Sequence, residues 1–193
     1  MRAQSALELA TERGFPFWVG WNEILESWAR GESKPSEDET PRIRHGLLSW
    51  RAQGSELGTT YFLTLLAEAC ARNGQVDAGL DALAEAQSVS DKTGERFWLA
   101  EQFRLRGELL LRRGAVPRTE AEACFQQALN IARHQLSKSL ELRAATSLGR
   151  FWRSEGKFTE ARMVLGETCD WFKGGLLTAD LTDARALLQE LST

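Results

Sequence analysis

At 193 residues the chain is long enough for one domain or one short solenoid, and folding would bury roughly 70% of the surface that its unfolded form exposes. Its 24 Lys+Arg against 27 Asp+Glu leave a formal net charge of -3, which offers no overall attraction to phosphate backbones or anionic lipid, so neither nucleic acid nor a membrane is an expected partner. Met1-Arg2-Ala3-Gln4 leads into an amphipathic stretch without the apolar core of a secretory signal, and no run approaches the roughly 20 apolar residues of a membrane span. Cys70, Cys124 and Cys169 are odd in number, far apart and set among helix formers; they read as reduced core thiols of a cytoplasmic protein without disulfides.

In chain order, residues 1 to 13 read as a helix, followed by Phe15 to Arg30 and then by the polar, acidic stretch Gly31 to Pro41, which is expected to be a mobile loop. Helices then follow over Pro41 to Gln53, Thr59 to Asn73, Val76 to Thr93, Glu95 to Arg113, Glu120 to His134, Ser137 to Glu155 and Phe158 to Lys173, with a last one over Asp180 to Leu191. Each segment carries Ala, Leu, Glu, Arg and Gln at helical spacing, and glycine or proline separates it from the next.

The punctuation is periodic. Gly14, Gly54 and Gly94 are 40 residues apart, and Gly74, Gly114 and Gly156 follow at 40 and 42. A fixed period of that size means stacked helix pairs, here 15–53, 59–93, 95–134 and 137–173. Small residues recur at the same register: Ser27, Ala67, Gly107 and Gly149 in the first helices, and Gly79, Ala121 and Ala161 in the second. Ala121, Phe125 and Ala128 fit the A-x3-F-x2-A part of the tetratricopeptide pattern. The expected fold is all-α, an α-α superhelix of tetratricopeptide-like pairs forming one domain over 1–193, with 180–191 as a cap. Because Ala6 aligns with Gly46 at the same offset, residues 1 to 13 look like a second helix without its first. The expectation is a chain cut from a longer solenoid, with a homodimer through the amino-terminal helices closing the open face.

Gly94 to Trp98, Arg104 to Leu111, Glu120 to Arg133, Lys138 to Arg150 and Thr178 to Leu181 together carry a likeness. The chain resembles the tetratricopeptide-like carboxy-terminal region of large bacterial signalling ATPases, many of which bear an adenylate/guanylate cyclase-type or LuxR-type DNA-binding domain elsewhere. That resemblance implies a regulatory, protein-binding or effector-sensing arm of a signal-transduction protein. It carries over no cyclase, ATPase or DNA-binding activity, and no G-x-x-x-x-G-K-[ST] phosphate loop stands in the chain.

No catalytic constellation emerges. His45 and His134 fall on different repeats without ligands at zinc spacing, so neither a metal nor another cofactor is expected. The cysteines lie inside helices without an evident base, and carboxylate pairs such as Glu101 with Glu108 read as i,i+4 partners or a solvated face. Trp50, Trp98, Trp152 and Trp171 keep helical spacing with apolar neighbours and are expected in the core.

The ligand face of a tetratricopeptide stack is lined by the first helices of its pairs. Counting from the small-residue positions, the partner-binding groove should present Trp21 and Trp28, then Tyr61, Thr64, Glu68 and Arg72. It continues through Glu101, Arg104, Glu108 and Arg112 to Arg143, Arg150 and Arg153. Three arginines on one helix face without an acidic partner make that end basic and suited to an acidic segment. Two functions follow, a non-catalytic scaffold for a protein or peptide and a small-molecule effector-sensing module. An open groove favours the first and a deep enclosed pocket the second.

Overall fold

The computed structural model describes residues 2–34, 38–114, 117–173 and 177–192, and among them every regular element is an α-helix. The chain divides into two compact units, Met1–Arg96 and Phe97–Thr193, a boundary that falls between the second and third helix pairs.

The first unit holds α1 (Arg2–Glu12), α2 (Pro16–Ser33), α3 (Thr40–Ala52), α4 (Thr59–Arg72) and α5 (Val76–Thr93). Pro16 opens α2, where its missing N–H costs no helical bond. Each helix packs on the next, and α2 also touches α4. The crossing of α2 on α3 is close: a Cβ on Gly46 would stand 2.8 Å from Ile24 Cγ1, and one on Gly20 3.0 Å from the backbone nitrogen of Trp50. Trp50, Phe62, Ile24, Ile43 and Leu63 fill the core.

The second unit holds α6 (Leu99–Arg113), α7 (Arg118–His134), α8 (Lys138–Ser154), α9 (Phe158–Trp171) and α10 (Ala179–Glu190). Again neighbours pack in sequence, while α6 touches α8 and α8 touches α10. Gly107 is required by its surroundings, because an added Cβ would lie 2.6 Å from Cε1 of the fully buried Phe125. All seven small positions of the repeat are buried. The α10 face with Leu181, Ala184 and Leu187 is buried too, and the Thr178 hydroxyl caps the helix by accepting the Leu181 N–H at 3.2 Å.

The six periodic glycines all adopt the left-handed conformation, with φ between 65° and 77°. Residue 136, where the series 14, 54, 94 next falls after a step of 42, is Leu136, and it too has positive φ, 54°. The turn is thus repeated at this position without the residue that suits it.

Several expectations need correction. Helix α6 starts at Leu99 rather than Glu95, because Glu95 is engaged elsewhere: its carboxylate accepts the Gly58 N–H at 2.9 Å and its carbonyl accepts the Ser90 hydroxyl at 2.8 Å. Of the stretch expected as a mobile loop, Gly31 to Ser33 continue α2, while Pro35, Ser36 and Glu37 lie outside the described residues. Asp38 is anchored: its carboxylate accepts the Thr40 hydroxyl at 2.7 Å and N–H at 3.0 Å, and the side-chain amides of Asn73 at 2.9 Å and Gln75 at 2.8 Å. The tryptophans divide as well. Trp50 is core, Trp98 and Trp152 are half-buried, and Trp171 is 60% exposed, stacked edge-on with Phe172 beneath the Lys138 ammonium. Trp152 sits there because its indole N–H donates to Glu122 at 2.6 Å, which keeps that edge at the surface.

Candidate functional site

In the second unit, α6, α8 and α10 carry a charged cluster built on a buried pair. Glu101, only 3% exposed, accepts from Arg104 Nε at 3.0 Å and Nη2 at 2.6 Å, and Arg143 Nη2 on α8 reaches it at 3.0 Å. Burial alone would raise the Glu101 pKa; the Arg104 charge and hydrogen bonds, with the charge of Arg143, outweigh it and hold the carboxyl below its ordinary range. The remaining arm of Arg104 donates to Glu108 one turn on and to the Ser147 hydroxyl of α8 at 3.2 Å, and that hydroxyl donates to Glu108 at 3.0 Å. Two helices are therefore fixed in register by one guanidinium.

Above this floor opens a cleft of about 150 Å3, lined by Arg104, Arg143, Thr146, Ser147, Arg150, Asp180 and Asp183. Arg150 donates to Asp183 and Arg153 to Glu190, so two ion pairs tie α8 to α10. The expected basic end is thereby corrected. Arg143, Arg150 and Arg153 each meet a carboxylate: Arg143 that of Glu101 on α6, and Arg150 and Arg153 those of Asp183 and Glu190, which α10 brings opposite them.

In the first unit the face of α2 and α4 also draws expected residues together. The Trp28 indole donates to Glu68 at 2.9 Å, and Arg72 lies 5.7 Å over the Trp28 ring while pairing with Glu32. Trp21 belongs instead to an aromatic cluster, 4.9 Å from Phe62 and 5.3 Å from Trp50 between ring centres, and Tyr61 stands 5.5 Å from Phe62. Burial, with the nearby Glu68 charge, pushes the Tyr61 hydroxyl pKa up. Thr64 is buried and donates to its own helix at Thr60 O, 2.7 Å, so it presents nothing to a groove. Arg112 is exposed in the last turn of α6.

The four residues that complete the cleft, Thr146, Ser147, Asp180 and Asp183, escaped the sequence reading. A signal existed for the aspartates: α10 begins where the repeat would place another first helix, so its residues extend the same face.

No family model matches the chain. Over 130 residues, 67% of its length, the chain is 27% identical to an uncharacterized protein of Rhizobium meliloti (strain 1021), and it spans 12% of that protein's length.

Other chemistry finds little support in the geometry. The thiols of Cys70, Cys124 and Cys169 all have raised pKa values, foremost through burial, the reverse of what a nucleophile needs. His45 faces Glu23 at 3.0 Å, His134 bonds the Asn130 carbonyl at 2.9 Å, and among the described residues no three His, Cys, Asp or Glu side chains converge as metal ligands. No helix among them is long and apolar enough to cross a membrane.

Proposed function

We propose that the chain is a non-catalytic, tetratricopeptide-like scaffold that holds a segment of another protein, as the regulatory arm of a bacterial signal-transduction protein. The observation that carries this reading is the contact of alternate helices. Because α6 meets α8 and α8 meets α10, the first helices of successive pairs share one face, with the intervening helices as the other layer. On that face the buried Glu101–Arg104 pair fixes donors and acceptors in the floor of an open cleft before any partner arrives, which lowers the ordering cost of binding. The small share of the Rhizobium relative that the chain spans accords with a module of a larger protein.

A cleft of about 150 Å3 is below the roughly 300–1,000 Å3 of sites that enclose a small molecule. Two clefts of the first unit reach about 370 and 380 Å3, but both lie open to solvent and are edged by charged side chains such as Arg51, Glu56, Glu85 and Lys92, or Glu26, Arg30 and Lys34, where an effector pocket encloses most of its ligand.

Site-directed photocrosslinking tests the scaffold. A crosslinker replacing exposed Arg150 on α8 should yield a discrete protein adduct that excess unmodified chain competes away, and one replacing exposed Glu160 on α9 should not. Equal adducts from both positions would refute the assigned face.

A further inference from the structure

We infer that the aromatic patch at the start of α2 binds a proline-rich segment in the polyproline II conformation. The inference rests on the scaffold reading above and names the chemistry of one segment that the scaffold holds.

The patch comes from one uncharged run. Phe15 to Asn22 holds two phenylalanines, two tryptophans and no charged residue, in a chain of which 26% is charged. Neighbouring rings stand edge to face, Phe17 to Trp18 at 5.1 Å and 84°, and Trp18 to Trp21 at 6.1 Å and 63°, so the surface is ridged rather than flat. Phe17 and Trp21 lean on the buried Trp50, with ring centres 4.4 and 5.3 Å away, which fixes the ridges before a partner arrives. The turn before α4 borders them: an added Cβ on Gly58 would stand 3.7 Å from the Trp21 ring, and its neighbour Leu57 is exposed.

Area and hydrogen bonding choose the occupant. Phe15 is 53% exposed, Phe17 37% and Trp18 51%, which leaves roughly 200–350 Å2 of ring surface bare. A stable dimer needs about 800 Å2 from each partner. The patch therefore suits a short segment better than a second copy of the chain. Elsewhere the half-buried indoles are satisfied, Trp28 donating to Glu68 at 2.9 Å and Trp152 to Glu122 at 2.6 Å. Trp21 is half-buried as well, yet neither its indole N–H nor that of Trp18 has a hydrogen-bond partner among the described residues. An apolar surface with two free donors calls for an apolar segment with free acceptors. The interior carbonyls of an α-helix are already used by its own N–H groups, and a β-strand brings N–H groups that find no strong acceptor on aromatic rings. A polyproline II segment has no internal hydrogen bonds, so its carbonyls are available, and proline has no N–H to leave unpaired. Such segments dock on aromatic-lined surfaces, and their preset backbone lowers the ordering cost.

The test is a titration of the 15N-labelled full chain with deca-proline, followed through the indole N–H resonances of its seven tryptophans. Trp18→Phe and Trp21→Phe assign the two signals that matter. Deca-proline is expected to shift both, leaving Trp152 and Trp171 in place, with an affinity indifferent to salt because no charge is engaged. Trp18→Ala should weaken binding at least about tenfold, as loss of an aromatic anchor does, whereas Trp171→Ala, at an equally exposed ring of α9, should not. Circular dichroism confirms that both variants remain folded. Unmoved indole signals, or the same shifts from a helical alanine-rich peptide, would overturn the proline-rich partner. So would shifts of Trp18 and Trp21 on raising the chain's own concentration, with doubled mass in sedimentation, which would make the occupant a second copy. In each of these cases a surviving adduct at Arg150 keeps the scaffold, while deca-proline binding without that adduct keeps the patch and removes the assigned face.

Discussion

Replacing Glu101 by Gln removes the charge at the centre of the second unit while keeping its shape. In the native chain the carboxylate faces two guanidiniums, Arg104 through Nε and Nη2 and Arg143 at 3.0 Å, in a position 3% exposed. Breaking a buried pair by removing one partner costs about 3–5 kcal/mol, because the other charge stays behind without compensation. Glu108 still bonds Arg104, and Arg143 is partly exposed and can hydrate, so the expected loss is at the low end, about 3 kcal/mol. For a chain of this length that corresponds to a fall of about 6–12 °C in melting temperature. Removing both charges with Glu101→Gln and Arg104→Met should cost less than the sum of the two single substitutions, since neither member of the buried pair is then left behind without compensation. Thermal and urea denaturation followed at 222 nm read the four corners of the cycle. A Glu101→Gln variant within about 0.5 kcal/mol of the native chain, or a double variant worse than the sum of the singles, would refute the account of the pair as a mutually compensated buried unit.

Three further outcomes follow from the packing and the titrations. Gly107→Ala should cost about 1–3 kcal/mol, because its Cβ would fall 2.6 Å from the buried Phe125 ring, and Phe125→Leu in the same chain should recover part of the loss; an unchanged melt for Gly107→Ala would dissolve the close crossing of α6 on α7. Leu136→Gly should raise stability by about 0.5–1 kcal/mol through relief of the left-handed backbone, since Leu136 is 80% exposed and gives up little packing; a lower melting temperature would contradict it. The carboxyls of Asp38, Glu101, Glu122 and Glu141 all have folded-state pKa values below their ordinary range, so their contribution is complete above that range and is lost as pH falls through the folded values. Denaturation midpoints should therefore be flat near neutrality and drop steeply below about pH 4, and a midpoint that rises on acidification would reverse the sign.

Much of the fold was legible because helix pairs write themselves locally. Gly54, Gly74 and Gly94 stand where the chain must turn with positive φ, and Ser27, Ala67, Gly107 and Gly149 where two helices touch, so spacing alone located both. The exceptions have local causes too. Glu95 is drawn out of α6 by Gly58, a residue 37 positions earlier, and the turn at 136 kept its backbone after losing its glycine. Trp171 kept helical spacing with apolar neighbours but sits in the last turn of α9, where no following helix covers it among the described residues.

The site was legible only within single helices. Glu101, Arg104 and Glu108 pair at i,i+3 and i,i+4, a relation any helix imposes. The bonds that set the cleft's character run between helices: Arg104 to Ser147 across 43 residues, Arg150 to Asp183 across 33 and Arg153 to Glu190 across 37. Their existence depends on how far each helix slides along its neighbour, and a slide of one residue, about 1.5 Å along the axis, would carry a carboxylate away from its guanidinium. The hydrophobic period constrains which face is buried and hardly constrains that slide. Three arginines on α8 therefore look uncompensated until the registers of α6 and α10 are known, which bring Glu101 to Arg143, Asp183 to Arg150 and Glu190 to Arg153.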